Sequence, residues 1–110
     1  MTLESLTNPS DKKYEIKITT PELTFLGVKS QPDFATLDLT FYPNKKVIEL
    51  KSFKKYLYSF RDKIISYERL INTIYYDFMN KYEQNRLIII MKTTPRGGIL
   101  SELKIDSKWR

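Results

Sequence analysis

The 110-residue sequence contains neither cysteine nor histidine, and it has only three glycines. The absence of cysteine excludes disulfide bonds, thiolate metal sites and a thiol nucleophile. Without histidine as well, a zinc site is not expected, because carboxylates alone are poor zinc ligands. So little glycine is not typical of a flexible or low-complexity chain. We therefore expect an ordered domain without a bound metal.

Long hydrophobic runs are also missing. The longest apolar run, residues 87–91, is too short to cross a bilayer. The first residues are polar and lack the pattern of a signal peptide, so the expected location is cytoplasmic, with no membrane partner. The length corresponds to one domain, which we assign to residues 13–110, after a flexible N-terminal lead-in over residues 1–12.

Positive charge is in excess, since 19 Lys and Arg residues against 13 Asp and Glu residues give a net charge of +6. One interpretation is a basic surface with dispersed lysines. The other is attraction for a polyanion or a phosphorylated cofactor. No run reaches five or six like charges, so direct nucleic-acid binding is not expected.

Hydrophobic periodicity predicts an α+β fold. Helical spacing of apolar residues indicates one helix from Ser52 and a second one capped by Ser66 that ends by about Gln84 and Asn85. An antiparallel sheet with helices on one face buries both kinds of pattern. Alternating or continuous apolar residues predict strands over residues 14–19, 35–41, 46–50 and 87–93, and a last strand with Ile99, Leu103 and Ile105.

Three separated segments carry one pattern: Gln-Pro-Asp-Phe-Ala at residues 31–35, Glu-Leu-Lys-Ser-Phe-Lys at 49–54 and Thr-Pro-Arg-Gly-Gly at 94–98. Together they resemble the NADPH-dependent 7-cyano-7-deazaguanine reductases, which reduce a nitrile to a primary amine in queuosine biosynthesis, a tRNA modification pathway. The resemblance implies the tunnelling fold (T-fold), in which a four-stranded antiparallel sheet carries two helices on one face. It also implies a homo-oligomer that forms a barrel, with substrate sites between subunits.

The resemblance assigns Asp33 as the general acid that gives protons to the nitrile nitrogen. From the residues alone, Pro32 and Asp33 would indicate only a turn before a strand. The family's nucleophile is a cysteine, and here Gly27 or Leu26 occupies its slot in a loop that is one residue shorter. Neither residue can attack a nitrile. Tyr67 replaces the family's histidine and exchanges a proton much less readily near neutral pH.

The resemblance implies NADPH as the cofactor. Lys51 and Lys54 lie one helical turn apart and can converge on one phosphate cluster, with Ser52 and the free N–H groups of the helix start as further donors. Arg96 suits the 2′-phosphate that distinguishes NADPH from NADH. From the residues alone, a solvated basic helix face and a turn with an exposed arginine are the alternatives.

Glu68 corresponds to the carboxylate that binds the guanine-like edge of the deazapurine substrate in the family. One carboxylate suits two N–H donors on one ring edge. The alternative is a glutamate in the first turn of a helix, where the helix dipole favours negative charge.

Two classes of function remain open. The first is NADPH-dependent reduction of 7-cyano-7-deazaguanine to 7-aminomethyl-7-deazaguanine, which without a thiolate loses its covalent step. The second is non-catalytic: a protein that binds a deazapurine and NADPH, or a cofactor-side subunit that needs a cysteine-bearing partner. Asp33 and Glu68 count against a pure cofactor-side subunit, which would need neither.

Overall fold

The computed structural model describes residues 2–94 and 97–109. The elements are β1 (Ser5–Thr7), β2 (Ile16–Leu26), β3 (Pro32–Pro43), β4 (Lys46–Ile48), α1 (Leu50–Tyr58), α2 (Tyr67–Lys81), β5 (Gln84–Thr93) and β6 (Glu102–Asp106). Antiparallel pairing joins four strands in the order β2-β3-β5-β6, and a second sheet pairs β1 with β4. The predicted α+β class is confirmed. Neither α1 nor α2 is long and apolar enough to cross a membrane.

Both helices pack on the same face of the four-stranded sheet. Because side chains alternate across a strand, every second residue of β3 and β5 points to this face, and the helices supply the opposite wall of the core. The most deeply buried residues of these four elements are Ala35, Leu37, Leu39, Phe41, Leu87, Ile89 and Met91 in the strands and Phe53, Leu70, Ile71, Ile74 and Phe78 in the helices.

Each helix begins at a side-chain cap. The helix α1 starts at Leu50, two residues earlier than predicted, because the carboxylate of Glu49 accepts hydrogen bonds from the main-chain N–H groups of Lys51 and Ser52. These bonds satisfy donors that have no partner inside the helix, and they lower the pKa of Glu49. The cap predicted for α2 is confirmed, since the Ser66 hydroxyl accepts a hydrogen bond from the N–H of Arg69.

Part of the N-terminal segment, for which we expect a flexible lead-in over residues 1–12, contacts the rest of the chain. Strand β1 pairs with β4 from Ser5 to Thr7, and the side chain of Leu3 is buried. The Tyr82 hydroxyl donates a hydrogen bond to the carbonyl of Glu4 at 2.7 Å. Three residues are too few for a periodic pattern, so this strand gave no signal in the sequence.

The last strand is shorter than predicted. It begins at Glu102, whereas Ile99 lies outside it with a largely exposed side chain. Leu103 and Ile105 pack against the core as expected. The glycines before Ile99 adopt left-handed conformations, which interrupt the extended backbone.

The ion pair of Arg86 and Asp106 should make stability depend on acid pH. The guanidinium donates to both carboxylate oxygens at 3.1 and 2.6 Å, and this pairing, with the N–H of Lys108, lowers the pKa of Asp106 from 3.8 to about 2. A lowered folded-state pKa stabilises the fold above the unfolded-state value, and this contribution is lost as pH falls from about 4 towards 2. Asp106→Asn should therefore be less stable than the wild type at pH 5, and the difference should shrink at pH 2.5 in urea unfolding. An equal difference in stability between the two proteins at pH 5 and at pH 2.5 would contradict this expectation.

Candidate functional site

The turn between β2 and β3 places Gly27 beside Asp33. The N–H of Gly27 donates to the carbonyl of Gln31 at 2.7 Å, and the N–H of Ser30 donates to the carbonyl of Gly27 at 2.8 Å. Ser30 has a φ of 62°, a strained conformation for a residue with a side chain. Asp33 lies directly opposite Phe25 in the ladder. A Cβ atom added to Gly27 would lie 3.7 Å from Oδ2 of Asp33.

Backbone hydrogen bonds hold the start of α2 against the end of β2. The N–H of Leu26 donates to the carbonyl of Lys63 at 2.9 Å, and the N–H of Ile65 donates to the carbonyl of Leu26 at 3.0 Å. The first two helical residues, Tyr67 and Glu68, follow immediately. The strand end and the helix start therefore form one corner.

The carboxylate of Asp33 is fixed at this corner. The Tyr67 hydroxyl donates to Oδ2 of Asp33 at 2.6 Å, and the N–H of Phe34 donates to Oδ1 at 2.8 Å. The Tyr67 ring makes an edge-to-face contact with Phe25, with 5.6 Å between the ring centroids. Asp33 is buried, with only 6% of its surface exposed. Tyr67, which we expect in place of the family's histidine, thus touches the expected general acid directly.

A pocket of about 240 Å³ lies at this corner. Its lining residues are Phe25, Gly27, Val28, Asp33, Ile65, Ser66, Tyr67 and Glu68. Leu26 does not line it. Leu26 pairs with Pro32, one position along from the Phe25–Asp33 pair, so its side chain points to the opposite face of the sheet. Of the two candidates for the cysteine slot, Gly27 is the one that lies beside Asp33.

The residues expected to bind the cofactor fall into two groups. The side chains of Lys51 and Lys54 are exposed on α1. Ser52 is buried, its hydroxyl donates to the carbonyl of Glu49 at 2.8 Å, and it accepts a hydrogen bond from the N–H of Glu4 at 2.9 Å. The first N–H groups of the helix are bonded to Glu49. Ser52 and the helix start therefore have partners within the chain, whereas both lysines face solvent.

Arg96, the other expected phosphate contact, lies outside the described residues, as does Pro95. Gly97 and Gly98 follow with φ values of 59° and 78°. Because both conformations lie in the left-handed region, glycine is the residue suited to each position.

Sequence reasoning missed the apolar walls of the pocket. Phe25 and Ile65 line it from β2 and from the segment before α2. The alternation of Leu23 and Phe25 with polar residues could have extended the predicted strand this far. Ile65 had no such signal, because its position depends on the long-range backbone bonds to Leu26.

Comparison with known proteins identifies relatives over most of the chain. The family model described as QueF-like protein matches residues 32–109. A protein of Wolinella succinogenes is 39% identical over 107 residues, covering 96% of this chain and 86% of the relative. One of Sulfurimonas denitrificans is 40% identical over 106 residues, with 96% and 85% covered. Both relatives are named NADPH-dependent 7-cyano-7-deazaguanine reductase.

A solved structure supports the same grouping at the level of the fold. The crystal structure of the archaeosine synthase QueF-Like in the apo form superimposes with a TM-score of 0.77 at 16% sequence identity, covering 84% of this chain and 91% of that one. At this identity the likeness concerns the fold alone. With the family model and the two relatives, these findings show that the chain belongs to the QueF-like protein family.

Proposed function

We propose that this chain binds 7-cyano-7-deazaguanine and NADPH and reduces the nitrile to 7-aminomethyl-7-deazaguanine slowly, because it has no thiol of its own. The observation that carries this proposal is the pocket itself. Gly27, Asp33, Tyr67 and Glu68 are separated in the sequence but line one cavity. The printed names of the relatives supply the substrate and the cofactor.

The two carboxylates of the pocket can serve different roles, one in binding the substrate and one in donating protons to it. Glu68 is exposed at the rim and can accept two hydrogen bonds from the N–H groups of a guanine-like edge. Asp33 is buried beside the empty nucleophile slot, where it can give protons to the nitrile nitrogen. Tyr67 orients Asp33 through its hydrogen bond. Conversion of a nitrile to a primary amine takes up two hydrides and two protons, and NADPH supplies the hydrides when bound.

The basic face of α1 fits the phosphates of the cofactor. Lys51 and Lys54 are exposed, and neither lies within 4 Å of a carboxylate oxygen in the described part of the chain. Because Glu49 occupies the first N–H groups of the helix, we assign the phosphate contacts to side chains rather than to the helix start. Arg96 remains our proposed third contact, and Ser52 is left out because its hydroxyl is engaged within the fold.

The sheet edges support assembly into a homo-oligomeric barrel. In the described chain, β2 pairs with β3 along the four-stranded sheet and is otherwise bridged only at its end, where Leu26 meets Ile64, and β6 pairs only with β5. The unpaired N–H and C=O groups along these two edge strands can form hydrogen bonds with another copy of the chain. A head-to-tail arrangement that repeats such pairing forms a ring when the rotation between copies closes, and the proposed tunnelling fold requires such a ring.

Calorimetry and NADPH oxidation on the same purified sample test the proposal. We expect 7-cyano-7-deazaguanine and NADPH each to bind, with turnover that is slow but above the rate without protein. Binding without turnover would favour the non-catalytic alternative, or a subunit that receives its thiol from a partner. Failure of both ligands to bind would refute the proposed function and the site residues with it.

A further inference from the structure

Arg61 is held over the ring of Tyr58 at the end of α1. The guanidinium carbon lies 4.3 Å from the ring centroid, and Tyr58 is about half exposed. A cation–π contact of this kind restricts the side chain of Arg61. The guanidinium keeps N–H donors that can bind an anion in bidentate fashion.

A second cation lies beside the same ring. The ammonium group of Lys54 is 5.9 Å from the centroid of Tyr58. In the described part of the chain, neither Lys54 nor Arg61 has a carboxylate oxygen within 4 Å. Both line one cleft of about 100 Å³ next to β2, which also contains the carboxylate of Glu22. The cleft is smaller than usual small-molecule pockets, so it suits one group of a ligand rather than a whole dinucleotide.

We propose that Arg61 binds the 2′-phosphate of NADPH, the group that the resemblance assigns to Arg96, and makes the chain select NADPH over NADH; Arg96 is then left for the other phosphates. This inference rests on the proposed function, since it requires that Lys54 contacts the cofactor. A rigid guanidinium beside a lysine suits a phosphate monoester, which carries more negative charge than one phosphate of the pyrophosphate bridge. Glu22, which also lines the cleft, can accept hydrogen bonds from ribose hydroxyls.

Binding of NADPH and NADH to Arg61→Gln tests the inference without turnover. Titration calorimetry should show NADPH affinity reduced by about 10- to 100-fold, the range for a lost charge-assisted hydrogen bond, with NADH affinity unchanged. Tyr58→Leu keeps the guanidinium but removes the ring that orients it, so its loss of NADPH affinity should be smaller. Lys45→Gln, in the exposed turn before β4, removes the same charge away from the cleft and should bind as the wild type does.

The outcomes separate this inference from the proposed function. If the wild type binds NADPH and Arg61→Gln binds it equally well, the role of Arg61 is refuted and the proposed function is unaffected. An equal loss for NADPH and NADH would place Arg61 on a part common to both, which also overturns the assignment. A similar loss in Lys45→Gln would show an effect of net charge alone. If the wild type does not bind NADPH, the proposed function fails as well.

Discussion

Gly27→Cys is expected to raise nitrile reductase activity above that of the wild type by on the order of 10³-fold. The position accepts a side chain, because an added Cβ would meet only the carbonyl of Gln31 at 3.6 Å and Oδ2 of Asp33 at 3.7 Å. The backbone of Gly27 is not in the left-handed region, so a cysteine can adopt it. The new side chain would then stand beside the carboxylate of Asp33 in the lining of the pocket.

The gain follows from dividing one difficult step into easier ones. The thiolate adds to the nitrile carbon, the displaced electron pair moves to nitrogen, and that nitrogen takes a proton from Asp33. The product of this addition is a thioimide, which hydride from NADPH can reduce more easily than a nitrile. Intact-protein mass measured without NADPH should therefore show a covalent adduct with the substrate, and NADPH oxidation should show the increased rate.

Matched variants distinguish the thiol from a change of shape. Gly27→Ser has nearly the same size but a far weaker nucleophile, so it should form no adduct and stay at the wild-type rate. Gly27→Cys with Asp33→Asn should lose most of the gained rate, since general acid catalysis contributes about 10²- to 10⁴-fold. A folded Gly27→Cys protein that binds substrate but forms no adduct would show that the slot is elsewhere.

The main elements of the fold could be predicted from periodicity because they bury continuous apolar patterns. Leu37, Leu39 and Phe41 alternate with polar residues, and all three are fully or almost fully buried on one face of β3. The pairing of β1 with β4 could not be predicted, because register depends on long-range contacts rather than on three residues of sequence. For the same reason the N-terminal residues were expected to be flexible.

The candidate site also has features that the sequence predicts and features that it does not. The motifs indicated that Asp33, Tyr67 and Glu68 belong together, but the contact between Tyr67 and Asp33 depends on how α2 is anchored to β2. Ser52 was expected at a phosphate, and its burial against Glu4 follows from the strand that the sequence did not reveal. The cluster around Tyr58 was missed because Arg61 lies in the turn after α1, where helical spacing no longer predicts neighbours.

Glu68→Gln is expected to weaken binding of 7-cyano-7-deazaguanine by about 100-fold. A carboxylate can accept from two N–H donors on one ring edge, whereas an amide accepts with its oxygen only and presents its own N–H groups to the second donor. Calorimetric titration of the wild type and the variant measures the change directly. Glu83→Gln is the matched control, because it makes the same substitution at an exposed position just beyond the other end of α2.

The competing role of Glu68 predicts a different result. A glutamate in the first turn of α2 is stabilised by the helix dipole, so its replacement should lower the melting temperature whether or not it touches a ligand. If this is its whole role, Glu68→Gln will melt earlier and bind the deazaguanine as tightly as the wild type. A loss of affinity far larger than any loss of stability would assign the carboxylate to the substrate. Glu68→Asp, which keeps the charge near the dipole but withdraws it from the rim, should then bind weakly while melting close to the wild type.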